Sequence, residues 1–415
     1  MYPRLVLLQK LLADDGAIFI SIDDNEHANL LLVCNEVFGS NNFIQDIIWN
    51  KRVSPARDAK FFSTDHEYIL VYSKNKESLT THFLPRTEKN NSYYKNPDND
   101  PRGPWNSAAY TCNKSRDERP NLYYPITNPY TGEKIFPKES AVWAYSEETY
   151  QQHVRDNLLY WGVNGEAKQP RKKAFLSEVG DVVPRSVWSH SDVGSTQKAT
   201  MENNTIFNMR AFSYPKVSTL VERIIQIASD KDSIVLDSFA GSGTTAHAVL
   251  NMNKSDGGNR KFILVEMGDY ADTITAERVK RVINGYGEGK NAVEGTGGNF
   301  SYYELGNPLF MQDGTINDEV DITEVRKYVW YTETNGIEYK EDIQEKYFLG
   351  SYNDTAYYFY YEKDRVTILD YEFLTSVHKK EQTYVMYADS CALSDSDLQK
   401  WNITFKKIPR DIEHI

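Results

Sequence analysis

The sequence predicts an α/β protein, a doubly wound sheet split by a long irregular insert and followed by an α+β tail. Three observations predict it. Residues 233–266 read as strand, glycine turn, helix and strand, the unit from which parallel sheets are built. Residues 1–39 read as helix, strand and helix, half of another such unit. Between them, residues 85–200 become dense in Pro, Asn, Tyr and Arg and lose helical periodicity.

Residues 1–16 place Leu5, Leu8, Leu11 and Leu12 on one helical face and stop at Asp14-Asp15-Gly16. Residues 17–22 (AIFISI) form a buried-type strand, after which Asp23-Asp24-Asn25 caps a helix running through Ala28, Leu31, Leu32 and Val37 to Gly39. Residues 43–51 and 67–73 read as two strands. The loop joining them, residues 52–62, is either a plain hairpin connection or a surface that faces DNA with Arg52 and Arg57 beside Lys51.

Within the insert, Tyr93, Tyr94, Trp105, Tyr110, Tyr123, Tyr124 and Tyr130 interleave with Arg102, Lys114, Arg116 and Arg119. A surface that stacks on bases and pairs with phosphates needs that mixture, and Arg171-Lys172-Lys173 adds a basic cluster. An irregular domain with no such role fits the composition too, because the 16 basic residues of 85–200 barely exceed its 14 acidic ones.

Phe212-Ser213-Tyr214-Pro215-Lys216 leads into a helix with Leu220, Val221, Ile224, Ile225 and Ile227 on its apolar side, Pro215 being suited to the first turn. The next strand ends at Asp237, and Phe239-Ala240-Gly241-Ser242-Gly243-Thr244-Thr245 supplies the turn. Gly241 and Gly243 let backbone approach a ligand, while Thr244 or Thr245 is placed to cap the following helix. Residues 261–265 form a second apolar run ending at Glu266, where a strand-tip carboxylate suits the two hydroxyls of a ribose. Residues 273–283 read as a helix with Arg278, Lys280 and Arg281 on its surface, and residues 285–298 as a glycine-rich linker. In the tail, residues 356–362, 366–369, 383–387 and 403–407 read as strands. Fourteen of the 29 tyrosines lie in residues 301–415, where they are expected to pack a small sheet.

A chain of 415 residues is long enough for two to four domains. It has no run of 18 apolar residues and no basic-then-apolar start, so a soluble, cytoplasmic protein without a membrane partner is expected. Cys34, Cys112 and Cys391 show no metal spacing, and neither disulfide nor metal site is expected. The net charge of −12 is concentrated in residues 301–415, with 22 acidic against 12 basic residues, leaving 37 against 35 in residues 1–300. The acidic balance therefore does not exclude a nucleic-acid partner for the first 300 residues.

A strand, glycine turn and helix alone would also suit a nicotinamide-dependent oxidoreductase. The run Asp-x-Phe-x-Gly-Ser-Gly-Thr-Thr at 237–245 instead resembles the S-adenosylmethionine loop of DNA amino-methyltransferases. With Tyr2-Pro3-Arg4-Leu5, residues 16–26 (GAIFISIDDNE), 212–216, 259–266 (NRKFILVE) and 406–412 (KKIPRDI), the chain resembles the modification subunit of a type III restriction-modification system, a β-class adenine-N6 DNA methyltransferase. The resemblance spans essentially the whole chain.

It implies a Rossmann-like S-adenosylmethionine-dependent methyltransferase sheet, incomplete here, with an inserted target-recognition domain and a C-terminal α+β domain. The implied parts are catalytic-half elements at 1–84, a DNA-binding insert at 85–204, the cofactor half at 205–300 and an assembly domain at 301–415. For S-adenosyl-L-methionine it implies Phe212, Tyr214, Pro215, Lys216, Asp237, Phe239, Gly241, Ser242, Gly243, Thr244 and Glu266. For double-stranded DNA, the basic residues singled out are Lys51, Arg52, Arg57, Arg116, Arg119 and Lys172.

The family's Asp-Pro-Pro-Tyr motif does not occur, so no catalytic residue is assigned. In the family, the Asp side chain and a Pro carbonyl accept the hydrogens of the adenine amino group while the Tyr stacks on the flipped base. The family's order puts that motif upstream of the segment beginning here at Met1, on a strand beside the one ending at Asp237. The chain is therefore expected to be inactive and poorly stable alone, and to pair with an N-terminal methyltransferase fragment or itself, and with a restriction helicase-nuclease subunit. A non-catalytic recognition and assembly subunit is the rival reading.

Overall fold

The computed structural model describes residues 1–340 and 345–412; residues 341–344 and 413–415, part of the expected tail domain, lie outside the described residues. Two compact units are present, Met1–Phe300 and Ser301–Ile415.

The first unit starts with helix α1 (Tyr2–Leu11), strand β1 (Ala17–Ile22), helix α2 (His27–Cys34), and strands β2 (Phe43–Asn50) and β3 (His66–Ser73). Strand β3 lies antiparallel between β1 and β2, and the short strand β4 (Val187–Trp188) adds parallel to β2. Both faces of this sheet are covered. Leu70 and Tyr72 point one way into Leu5, Leu30, Cys34 and Phe38. Ile47, Trp49, Ile69 and Val71 point the other way, into Trp188, Val217, Leu220 and Ile227, as the alternation of side chains along a strand requires.

The insert is made of short strands, and its aromatic residues divide between core and surface. Trp105, Tyr110 and Tyr124 are buried with Ile126, Trp143, Tyr150 and Trp161, whereas Tyr93 and Tyr130 are exposed. Base stacking is thereby corrected for Trp105, Tyr110 and Tyr124: a segment without long helices has only its aromatic side chains from which to build a core. Lys173 is likewise no phosphate contact. It is buried and paired with Asp98 at 2.5 Å and Asp100 at 2.8 Å. The Arg102 guanidinium holds the Asp100 carboxyl well below the usual carboxylate range, against the opposing effect of burial.

Helix α3 (Thr196–Phe207) closes the insert, and helix α4 (Ser218–Ala228) joins the two halves of the unit. Leu220 and Ile227 pack under the four-stranded sheet, while Ile225 packs with Ala248, Val249 and Met252. Strand β5 (Ile234–Asp237), helix α5 (Thr244–Asp256) and strand β6 (Lys261–Leu264) form a strand–helix–strand unit, β5 and β6 being parallel with Leu236 opposite Ile263. Helix α6 (Glu277–Asn284) follows. The expected linker at 285–298 contains an antiparallel pair, Gly285–Tyr286 with Val293–Glu294.

Only one face of the β5–β6 pair is covered. Val235, Phe262 and Leu264 pack towards α5, whereas Ile234, Leu236, Ile263 and Val265 are exposed on the other face. Among the described residues β5 pairs with no strand except β6. Parallel strands are ordinarily buried on both faces, so this surface is apolar and unpartnered.

In the second unit, helix α7 (Ile322–Thr334) precedes strands β7 (Phe348–Tyr352), β8 (Thr355–Phe359), β9 (Thr383–Ala388) and β10 (Ile403–Lys407), ordered β7-β8-β9-β10 with the last two junctions parallel. Tyr357, Tyr358 and Tyr387 are buried on this sheet. No helix of the described residues is long and apolar enough to cross a membrane.

Charging the uncovered face is expected to improve behaviour at little thermodynamic cost. The double variant Ile234→Glu/Ile263→Lys should bind less hydrophobic dye and aggregate less, with unfolding free energy within about 0.5 kcal/mol of the parent. A loss of several kcal/mol in urea titration would show that these side chains are packed.

Candidate functional site

The turn after β5 sits at the tips of both parallel strands. Gly241 and Gly243 have φ of +52° and +76°. At Gly243 a Cβ would lie 2.9 Å from the Thr275 carbonyl oxygen, so glycine is required there by packing as well as by conformation.

Neither threonine caps α5. The N-cap is Gly243 with no side-chain bond. Thr245 Oγ1 instead donates to Asp237 Oδ2 at 2.5 Å, and Thr244 Oγ1 donates to the Lys216 carbonyl at 3.2 Å. The hydroxyls are drawn away from the helix end by stronger or more rigid acceptors: a carboxylate on the strand tip and a fixed carbonyl from the lead-in.

Glu266 closes the loop from the second strand tip. Its Oε2 accepts from the Gly241 amide at 2.7 Å, and its Oε1 accepts from the Met267 and Gly268 amides, both at 2.9 Å. Burial pushes the carboxyl up, but these amides and the Tyr270 hydroxyl outweigh it and hold the group below its ordinary value.

The lead-in closes over the same loop. The Phe212 ring edge lies 3.6 Å from where a Cβ on Gly241 would stand, and the ring meets Tyr270 edge-on at 5.4 Å between centroids. Pro215 is buried but is not in the helix's first turn: α4 begins at Ser218, where the Glu202 carboxylate accepts from the Ser218 amide at 3.1 Å and from its hydroxyl, fixing the helix start. Lys216 pairs with Glu67, which also holds Lys51 at 2.9 Å, and the Lys216 ammonium stands over the Trp49 ring at 5.3 Å. Tyr214 points to solvent, 88% exposed. Phe212, Lys216, Asp237, Gly241, Ser242, Gly243, Thr244 and Glu266 are thus brought together, and half-exposed Phe239 stands at the loop's surface with Arg4 above its ring.

Sequence reading missed the layer beneath the loop. Arg278, expected on the surface of its helix, is 0% exposed. Its Nη1 donates to Ser242 Oγ at 3.0 Å and Thr244 Oγ1 at 2.9 Å, and its Nη2 donates to Glu202 Oε2 at 3.3 Å and His247 Nδ1 at 3.1 Å. Burial, reinforced by Arg278, pushes His247 well below its usual range, so the neutral ring accepts and the 3.8 Å approach to Glu202 is not an ion pair. Thr275 adds a bond to the Gly241 carbonyl at 2.6 Å. One signal was available: Arg278 stands four residues before Val282, on the helix's apolar stripe.

The expected DNA contacts are spread out. Arg52, Arg57, Arg116 and Arg119 are exposed, with Arg116 over the Tyr123 ring. Lys51 is committed to Glu67, and Lys172 lies over Tyr145 at 5.1 Å. Among the described residues no group of three or more His, Cys, Asp or Glu side chains is placed to hold a metal ion.

The sequence matches a family described as DNA methylase over residues 1–277, a span that includes the parallel strand pair, its tip carboxylates and the glycine loop between them. The chain belongs to the DNA methylase family. It is similar to the Mod subunit of the type III restriction-modification enzyme StyLTI of Salmonella typhimurium strain LT2, 36% identical over 68% of this chain and 44% of that protein. It is also similar to the EcoPI Mod subunit of Escherichia phage P1, 32% identical over 64% of this chain and 44% of that protein. This DNA methylase chain spans less than half the length of those two relatives. Among solved structures, a DNA modification methylase of Thermus thermophilus complexed with S-adenosyl-L-methionine is 16% identical over 68% of this chain and 74% of that one, with a TM-score of 0.31.

Two outcomes follow for the site. Arg278→Met leaves the half-buried Glu202 without its cation and should cost about 3 kcal/mol in denaturant unfolding, whereas Arg278→Met/Glu202→Met should recover much of it. Burial raises Glu67, but Lys216 and Lys51 outweigh it, so its pKa in the folded chain is below the ordinary 4.5. A lowered carboxylate stabilises fully above its unfolded value and ceases to as pH falls through the folded one. The melting temperature should therefore drop more steeply below about pH 4.5 for the parent than for Glu67→Gln, measured by circular dichroism from neutral to acid.

Proposed function

We propose that this chain provides the cofactor-binding and DNA-recognition parts of a type III modification methyltransferase that transfers a methyl group to the adenine N6 in double-stranded DNA. The carrying observation is the loop at 237–245, tied to Glu266 through the Gly241 amide and covered by Phe212. DNA methylases of this family draw the methyl group from S-adenosyl-L-methionine, which supplies it as an electrophile on a sulfonium.

The residues fit that group. Asp237 and Glu266 put two negative charges beside a loop whose exposed neighbours, Phe239 and Met267, are apolar. Such a set suits a cation, a pair of hydroxyls and a flat ring together. In this reading Asp237, Phe239, Gly241 and Gly243 line the methionine end, Glu266 holds the ribose, and Phe212 to Lys216 close over the group. The insert and the loop after β2 bring the DNA, with Arg52, Arg57, Arg116 and Arg119 as phosphate contacts. The divisions at 84/85 and 204/205 belong to the same reading.

The residues that accept the adenine amino hydrogens are assigned to another segment. The apolar face of Ile234, Leu236, Ile263 and Val265 and the unpaired edge of β5 suit a strand carrying Asp-Pro-Pro-Tyr with its cover. A restriction subunit is the proposed partner of the assembled enzyme, and the Ser301–Ile415 unit the proposed assembly part. The second reading is a non-catalytic recognition and assembly subunit that pairs with an intact methyltransferase.

Transfer of labelled methyl groups from S-adenosyl-L-methionine to mixed-sequence DNA separates the two. Transfer only when a polypeptide carrying the motif-bearing strand is added supports a split active site. No transfer with that polypeptide, in a folded sample that still binds DNA, favours the recognition subunit. In either case Glu266→Ala should weaken cofactor binding in calorimetry about 10- to 100-fold, the worth of hydrogen bonds to a charged group. Unchanged affinity would remove Glu266 from the site.

A further inference from the structure

The loop between β2 and β3 carries a feature that the cofactor site does not use. Phe61 and Phe62 are 81% and 92% exposed at its tip. Adjacent phenylalanines so exposed are uncommon on a soluble surface without a binding role.

The loop is built to present them. Its neck is pinned where the Lys51 amide donates to the Asp65 carbonyl at 2.8 Å and the Ala56 amide donates to Ser63 Oγ at 2.7 Å; the Ser63 hydroxyl in turn donates to Asp65. Beyond the neck, Arg52, Arg57 and Lys60 are exposed and make no ion pair among the described residues, while Asp58 is the tip's single carboxylate. Lys60 lies over the Phe61 ring at 5.3 Å.

The root of the loop is part of the cofactor site's rim. Lys51 is held by Glu67, Glu67 holds Lys216, and the Lys216 carbonyl accepts from Thr244 of the glycine loop. Two aromatic rings and three cations without ion pairs among the described residues are therefore carried on a loop whose root contacts the cover of the glycine loop, where in the methylation reading a base must reach a methyl donor.

We propose that Phe61 and Phe62 form a wedge that stacks on bases at an opened step of the DNA, while Arg52, Arg57 and Lys60 hold the flanking phosphates. The proposal rests on the DNA-methylation reading above and adds to it the part that supports an extruded base. Rings inserted at a step offset the stacking lost there, and cations on either side fix the backbone that must bend. DNA is favoured over a protein partner because the rings are ringed by excess positive charge.

The test uses the full chain and a fluorescein-labelled duplex of mixed sequence, intact or with one abasic site that leaves a ready-made gap. The parent should bind the abasic duplex about tenfold or more tighter than the intact one, consistent with base–aromatic stacking. Phe61→Ala/Phe62→Ala should erase that preference with an unchanged salt slope, and Phe61→Tyr/Phe62→Tyr should keep it. Arg52→Ala/Arg57→Ala/Lys60→Ala should keep the preference and reduce the salt slope by about three. An alanine variant that retains the preference, or a parent without one, overturns the wedge. So does an alanine variant that changes only the oligomeric state in sedimentation, which would assign the rings to a second copy. Cofactor calorimetry on the same samples separates the readings: cofactor binding without DNA binding overturns the wedge alone, and an abasic preference without cofactor binding supports it while removing the cofactor assignment.

Discussion

A guanidinium with no exposure to solvent has to find its charge and hydrogen-bond partners inside the protein, and Arg278 finds them on four different side chains. Leaving such a group unpaired costs several kcal/mol, so its partners are constrained to stay where they are. Ser242 and Thr244 are consequently held from below, which sets the course of the glycine loop. Glu202 is held too, and through it the start of α4, because the same carboxylate takes the Ser218 amide and hydroxyl. Helix α3 closes the insert, α4 bridges the two sheets, and α5 follows the loop. One buried charge thus fixes how helix α3, the bridging helix and the glycine loop lie within the Met1–Phe300 unit.

The second constraint is an unmet one. Helix α4 covers both sheets by splitting its apolar residues between them, with Leu220 and Ile227 on one side and Ile225 on the other. This suffices for the four-stranded sheet, whose opposite face is filled by α1 and α2. It does not suffice for β5 and β6, where Ile234, Leu236, Ile263 and Val265 remain in water. At about 25 cal/mol per Å² of apolar surface, a second layer on that face would stabilise the unit substantially. The unit as it stands holds its loop by polar ties, with Glu266 and Asp237 each satisfied by neighbouring backbone or hydroxyl groups, more than by the packing of its strands.

Elements with a strong local pattern were legible in the sequence. The strand at residues 17–22 and the last strand, residues 403–407, fall where β-branched and aromatic runs put them. The glycine turn was legible because positive φ leaves few alternatives to glycine. Interactions between distant segments left no such trace. The place of Arg278 on its helix's apolar stripe hints that it is buried, but nothing local shows that its partner is Glu202, 76 positions earlier. Thr244 and Thr245 looked like caps because nothing local showed that Lys216 and Asp237 would outcompete the helix end. In the insert, tyrosines and tryptophans read as a stacking surface are shared between a small core and the outside, since composition cannot say which face of an irregular chain is inward.

The glycine loop is connected to the loop after β2 by contacts rather than by proximity alone. Glu67 sits between two lysines, Lys51 at the root of the basic aromatic loop and Lys216 in the cover of the glycine loop. A carboxylate flanked by two cations at bonding distance is electrostatically satisfied only while both remain, so displacement of either lysine leaves Glu67 with weaker compensation and raises the cost of keeping it ionised. Trp49, fully buried and hydrogen-bonded through Nε1 to the Gly194 carbonyl at 3.0 Å, backs the Lys216 ammonium and gives the pair a rigid floor. The loop after β2 and the lead-in over the glycine loop therefore share one ionic joint set on the sheet's end, and displacement of Lys51 or Lys216 acts on the other through Glu67.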